Sequence, residues 1–399
     1  MLGAIFSVNI ILNRTYGTDS LGEFNVGYSL SQIIILGFLS SFSPLLRREI
    51  TINVKKSISY VSDIFHFRIQ ILVLIVFLSL VSSFFFFETS NIFYIFIILA
   101  TAKGFDLLSD VFYVYFQSVE KFKIYAILKS SHAITLISVI LTNSYLSAPI
   151  EYIYISFLVV SILFFLINVL LNSINKYLVY EFKSFLHFTK NKIKIFHEVW
   201  PLIINSFLFQ LKSRINVVII FTILGAEFAG VFAAVVMTIS VFTALSSPLG
   251  IVIFPKLNKT FVNSSADLPK QMRLIIFSLL AFGFVLMLTH FFTIKYQILL
   301  IGDLPSYSSN LFSIMSISIP FMIAIGGIGN IFVIIKRQKE LLVLSIGILM
   351  LSVLSLFVFI HFFNNMGAAI SFSFISVFHL FLMYTFSVYF IKDKKSDIQ

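Results

Sequence analysis

From Ile69 to Phe87 the chain carries no charged residue and shows none of the in-out alternation of a half-buried strand. Runs of this kind recur along the whole sequence. A bilayer core about 30 Å thick is crossed by about 20 apolar residues of helix. Inside it, every backbone N–H and C=O must be satisfied within the protein, so only helices and closed barrels span. A barrel strand needs roughly 9–11 residues that alternate between lipid and lumen. These runs are longer and do not alternate, so the chain is expected to be an all-α integral membrane protein.

Composition supports this. Charged residues make up 11% against about 25% in a soluble domain, hydrophobic residues make up 59%, and the mean hydropathy is +1.02. A formal net charge of +11 would suggest nucleic acid in a soluble protein. Here the cations sit in short clusters between apolar runs, which makes them an orientation signal, and no nucleic-acid partner is expected. With no cysteine there are no disulfides, thiolate metal sites or cysteine nucleophiles. The histidines lack metal-ligand spacing with carboxylates, no phosphate-cradling loop of the Walker type is present, and Gly326, Gly327 and Gly329 do not match a dinucleotide fingerprint. No metal, cofactor or catalytic residue is therefore expected. Those glycines follow Pro320 in one span, which reads as a broken or closely packed helix.

Full spans are expected at 28–46, 69–87, 92–117, 124–144 and 152–172, then at 199–222, 231–253, 274–293, 311–335, 341–360 and 367–391. A shorter apolar stretch at 1–13 completes twelve. Residues 1–172 thus form an N-terminal six-helix half and 199–391 a C-terminal one, followed by a tail at 392–399. Between the halves, 173–198 mixes Tyr177, Phe182, Phe185, Leu186 and Phe188 with lysines, the pattern of a helix in the headgroup layer or of a solvated connector. Among the loops on one side, Arg14 and Lys295 are the only cations. Lys103, Lys129, Lys212 and Arg214 lie inside spans, and every other Lys and Arg, Arg68 included, falls in the alternate loops. That bias places both termini in the cytoplasm. The longest outer segment, Ile294 to Asn310, is too short for a folded catalytic loop, so an enzyme such as a membrane polymerase or transferase is the less favoured reading.

Ionisable groups inside spans are costly and are expected to face a cavity or one another. Lys103, Asp106, Asp110 and Gln117 share one helical face within roughly 60°. The stripe reads either as a functional surface, with Asp106 and Asp110 as coupling candidates, or as a local Lys103–Asp106 ion pair at i, i+3. The span at 199–222 has two polar faces, Asn205, Lys212 and Asn216 on one and Ser206, Gln210 and Arg214 on the other. Lys129 lies near the cytoplasmic boundary and is expected to snorkel to the headgroups. His132, one turn on, reads as a packing histidine before a titrating one. Cations outnumber carboxylates inside the spans, which favours an anionic ligand.

An internal repeat runs through the chain. Gly17, Asp19, Gly22 and Phe24 match Gly225, Glu227, Gly230 and Phe232 at a constant offset, each group leading into a span. Six spans per half give the halves the same orientation, an arrangement associated with alternating access around a central cavity. With Asn13-Arg14-Thr15-Tyr16-Gly17, Leu21-Gly22-Glu23-Phe24, Arg214-Ile215-Asn216, Leu224-Gly225, Phe254-Pro255 and Asn365-Met366-Gly367-Ala368-Ala369 in this order, the chain resembles the polysaccharide and O-antigen flippases of the multidrug, oligosaccharidyl-lipid and polysaccharide exporter superfamily. Only Met1–Asn13 precede Arg14, which reads as a late start or a fragment. Asn216 stands where many members carry Asp, so no role of that carboxylate is carried over.

The resemblance implies a flippase for an undecaprenyl-pyrophosphate-linked oligosaccharide in a bacterial plasma membrane. A polysaccharide polymerase and a chain-length regulator are the expected partners, and membrane lipids surround the chain. Lys212, Arg214 and Lys103 are then the candidates to bind the diphosphate, with Gln117, Gln210, Asn205 and Asn216 as polar cavity residues. The alternative is a cation-coupled multidrug exporter of the same superfamily, for which an acidic cavity would be expected.

Overall fold

The computed structural model describes the chain apart from residues 1, 40–41, 44–45, 47–49, 51–53, 87–90, 120, 176–189, 245, 264–266, 303, 329–330, 336 and 397–399. The expected connector at 173–198 therefore falls mostly outside the described residues, as does the side chain of Asn205. Among the described residues every regular element is helical. In order these are α1 (Leu2–Ser31), a π-helix (Gln32–Leu36), α2 (Gly37–Leu39), α3 (Val54–Phe86), α4 (Asn91–Ser118), α5 (Phe122–Tyr145), α6 (Glu151–Asn175), α7 (Lys190–Thr243), α8 (Ser246–Asn263), α9 (Leu268–Ile301), α10 (Ser308–Ser316), α11 (Ser318–Ile328), α12 (Ile331–Ile334), α13 (Gln338–Phe363) and α14 (Asn365–Ser396). The described residues of all twelve expected spans are helical apart from short breaks at Ala244, Ile317 and Ile335. Among the described residues, seven helices are by themselves long and apolar enough to cross a membrane, or eight if the bent pair α10 and α11 counts as one. The chain is a multi-pass, all-α membrane protein.

The chain divides into two compact units, Met1–Phe221 and Thr222–Gln399. In the first, α4 is the central element, packed against α1, α3 and α6, while α5 packs against α1 and α6. Its core is strongly aromatic, with Phe42, Phe112 and Phe116 fully buried. In the second unit α11 lies against α8, α9 and α14, and α13 pairs with α14.

Two long helices contain a break. In α1 it falls at Gly17 (φ 86°, ψ 173°) and in α7 at Gly225 (φ 86°, ψ 177°). This region of backbone space is essentially restricted to glycine because a Cβ would clash with the residue's own backbone. Phe24 and Phe232, seven residues after each glycine, are both buried, Phe24 against Tyr154 and Phe157 of α6 and Phe232 against Phe372 of α14. The sequence repeat is thus repeated in backbone geometry and in the anchoring aromatic.

The Pro320 span is both broken and closely packed. α10 and α11 meet at a bend of 41° at Ile317, three residues ahead of Pro320, whose ring would collide with the Ser316 carbonyl in a continuous helix. A Cβ on Gly326 would come within 2.4 Å of the Ser246 hydroxyl on α8, so only glycine permits this approach.

Candidate functional site

The polar face of α4 meets groups from five other parts of the first unit. Lys103 Nζ lies 2.8 Å from Asp106 Oδ2 on the same helix. The other carboxylate oxygen, Oδ1, accepts a hydrogen bond from Ser161 Oγ of α6 at 2.7 Å and stands 3.7 Å from His132 Nε2 of α5. The His132 ring stacks on Phe164 of α6, centroids 4.7 Å apart. A buried charge persists only if it is paired and its lone pairs are satisfied. Asp106 meets this condition with three helices. His132 is packed on an aromatic ring, as the favoured sequence reading has it, and stands within reach of a carboxylate.

One turn further along α4, Asp110 accepts a hydrogen bond from Ser43 Oγ at 2.5 Å and lies 3.9 Å from Arg68 Nη1. Arg68 itself is fully buried, donates to the Leu107 carbonyl at 2.7 Å and to Ser43 Oγ at 2.8 Å, and lies 5.9 Å from the centroid of the Phe42 ring. This corrects the assignment of Arg68 to a loop. The hydropathy boundary at Ile69 falls inside α3, which extends from Val54, so the guanidinium turns into the helix bundle. It also gives Asp110 a cation partner from another helix.

A third cluster centres on Tyr28 of α1. Lys103 Nζ lies 5.8 Å and Arg214 Cζ of α7 lies 5.6 Å from the centroid of its ring, so two cations from different helices share one aromatic face or edge. Arg214 is half-buried and forms no ion pair among the described residues. Lys212, two residues earlier on α7, projects roughly 200° around the helix from Arg214. Gln117, Gln210, Lys212 and Asn216 are all half-buried. Lys129, expected at the headgroups, turns inward, with Nζ 4.6 Å from the centroid of the Tyr113 ring. Tyr113 in turn accepts a hydrogen bond from Asn168 Nδ2 of α6 at 3.2 Å.

Sequence reasoning missed Tyr28, Ser43, Arg68 and Ser161. For Ser161 a signal exists: with Asn168 and Asn172 it falls within roughly 40° on one face of α6. Tyr28 and Ser43 offer none, because an isolated tyrosine or serine near a span end has no distinguishing periodicity. Among the described residues no group of three His, Cys, Asp or Glu side chains could hold a metal ion.

These clusters lie inside a multi-pass helical protein whose fold is shared with membrane transporters of known structure. No protein-family model matches the chain, and no curated protein matches it. Among solved structures, the chain is similar to a protein described as the lipid II flippase MurJ in an inward closed conformation. The TM-score is 0.68 at 19% identity, over 96% of this chain and 85% of that one. It is also similar to a multidrug resistance MATE family transporter of the MOP superfamily, inward-facing, with a TM-score of 0.66 at 12% identity over 98% and 95%. An outward-facing structure of such a transporter matches with a TM-score of 0.58 at 13% identity over 99% and 96%. At these identities the likeness establishes the fold.

Proposed function

We propose that this protein is a flippase that carries a lipid-linked oligosaccharide diphosphate, of the undecaprenyl-pyrophosphate class, across a bacterial plasma membrane. The single observation that carries the reading is Arg214. It is a half-buried guanidinium within a span, with no ion pair among the described residues, held beside Tyr28 next to a second cation, Lys103. A cation inside a bilayer calls for an anion or an aqueous cavity. The planar fork of arginine suits two oxygens of a phosphate group. The Lys103 charge is matched by Asp106 and that of Arg68 by Asp110, whereas Arg214 forms no ion pair among the described residues and is the guanidinium proposed to meet a ligand. Lys212, on another face of α7, serves the same cavity without sharing the same phosphate.

The sequence resemblance to polysaccharide flippases and the fold shared with a lipid flippase support the reading. The cation bias of the loops supports cytoplasmic termini, and the two-fold repeat supports alternating access of two six-helix halves, 1–172 and 199–391. A polymerase and a chain-length regulator are the partners this role requires.

The test is flipping of a lipid-linked oligosaccharide in proteoliposomes. Arg214→Lys keeps the charge and loses the fork; Arg214→Gln loses both. A charged hydrogen bond contributes about 1.5–3 kcal/mol, so Arg214→Gln should lower transport by roughly tenfold to a hundredfold, with Arg214→Lys between it and the wild type. Normal flipping by Arg214→Gln at equal protein level would overturn the reading. Efflux of an organic cation unaffected by Arg214→Gln would point to a multidrug exporter.

A further inference from the structure

Asp106 has two cation partners within reach and is bonded to only one of them. Lys103 holds Oδ2 at 2.8 Å, while His132 Nε2 waits 3.7 Å from Oδ1. Lys103 is also the residue that links the carboxylate to the Tyr28 and Arg214 cluster, since its Nζ lies 5.8 Å from the ring that Arg214 also approaches. We propose that His132 is a proton-operated release for Lys103: a proton taken onto its imidazole lets His132 take over Asp106, and Lys103 swings toward Tyr28 to bind the anion together with Arg214. This rests on the anion-binding reading above and adds its regulation.

The geometry permits the exchange. Neutral imidazole offers Asp106 at most one N–H, whereas imidazolium is a donor at both nitrogens and carries a charge. Closing 3.7 Å to a charge-assisted hydrogen bond of about 2.8 Å needs a shift of roughly 1 Å. Ser161 keeps its bond to Oδ1 throughout and anchors the carboxylate. The stack on Phe164 holds the imidazole plane.

The charged groups around His132 set the direction of the coupling. From α4 it faces Asp106, which favours imidazolium, and Lys103, which opposes it. Lys129 on its own helix opposes it as well. From α6 it meets uncharged Phe164, and the Ser161 hydroxyl shares the Asp106 oxygen that faces it. Withdrawal of Lys103 toward a bound anion removes one of the opposing charges. Anion binding and protonation of His132 therefore favour each other, and by linkage each raises the affinity for the other by the same factor.

The experiment is equilibrium binding of a fluorescent prenyl diphosphosugar to the full chain in nanodiscs between about pH 5.5 and pH 8, which brackets an ordinary histidine. A doubly esterified diphosphate keeps its charge throughout that window, so the probe does not titrate. Affinity should rise by about tenfold on acidification in the wild type, within the usual range of coupling between two sites. His132→Gln should lose that rise. Calorimetry of the wild type in buffers of different ionisation heat should show proton uptake on binding, which decides the matter even if the variant does not fold. An unchanged pH profile in His132→Gln, or binding without proton uptake, overturns the proposal. Loss of binding in Arg214→Gln alongside either of those results would leave the anion-binding reading standing and remove only the switch, whereas full binding by Arg214→Gln would remove both.

Discussion

Gly17 and Gly225, 208 positions apart, adopt the same backbone conformation, φ 86° with ψ 173° and 177°. Each breaks a long helix at the point where one span gives way to the next. Nothing lies within 4 Å of the position a Cβ would occupy at either residue. Their requirement for glycine is therefore a backbone requirement, with no packing component.

That isolates the effect of substitution. Gly17→Ala and Gly225→Ala should each destabilise the protein by about 1–3 kcal/mol, the usual strain of holding a side chain in this region. The two sites lie in separate units and neither Cβ position has an atom within 4 Å, so the double variant should lose the sum of the two. Thermal unfolding of the purified protein in detergent checks both statements.

Arg68 and Asp110 should behave as a coupled pair. Removing one partner of a buried ion pair costs about 3–5 kcal/mol, because the remaining charge is left unmatched. Arg68→Met should be the more severe single change, since it removes the bonds to Ser43 and to the Leu107 carbonyl along with the pairing to Asp110. Asp110→Leu combined with Arg68→Met should cost less than the two singles added together. A double-mutant cycle on unfolding stability measures this coupling, and strict additivity would show that the two groups act independently.

Glu23 lies between the first two expected spans. Burial, and then the neighbouring charge of Asp19, push its carboxyl above the ordinary carboxylate range. A folded-state value above the unfolded one means the folded protein binds the proton more tightly. The stabilisation it provides is fully present below the unfolded value and is lost as pH rises through the folded one. Glu23→Gln should therefore be more stable than the wild type at neutral pH, and the difference should vanish in mild acid. Unfolding midpoints measured across that pH range give the comparison.

Topology is open to a clean test because the chain has no cysteine of its own. Ser147 occupies the turn between α5 and α6, and Lys259 is exposed on α8. A single cysteine at Ser147 should react with an impermeant maleimide added outside intact cells, whereas one at Lys259 should react only after permeabilisation. The reverse pattern would invert the orientation drawn from the loop cations.

The sequence by itself determined the all-α class, the helical character of the apolar segments, the twofold repeat and the glycine turns that mark it. Each of these is a property of one segment in water or lipid: hydropathy selects helix, and a single φ selects glycine. It offered the Lys103–Asp106 pair as one of two readings of the stripe, because residues three apart on a helix are neighbours whatever surrounds them. The tertiary structure alone decided that Asp106 is shared with His132 and Ser161, that Arg68 turns inward to Asp110, and that Arg214 meets Lys103 at Tyr28. Those contacts join helices distant along the chain. Their partners depend on the rotation and depth at which each helix packs, and these are set by the fit of side chains such as Phe42, Phe112 and Phe164 into facing surfaces. A one-dimensional pattern of polar residues gives the face a charge lies on, and the packing of the bundle selects what stands opposite it.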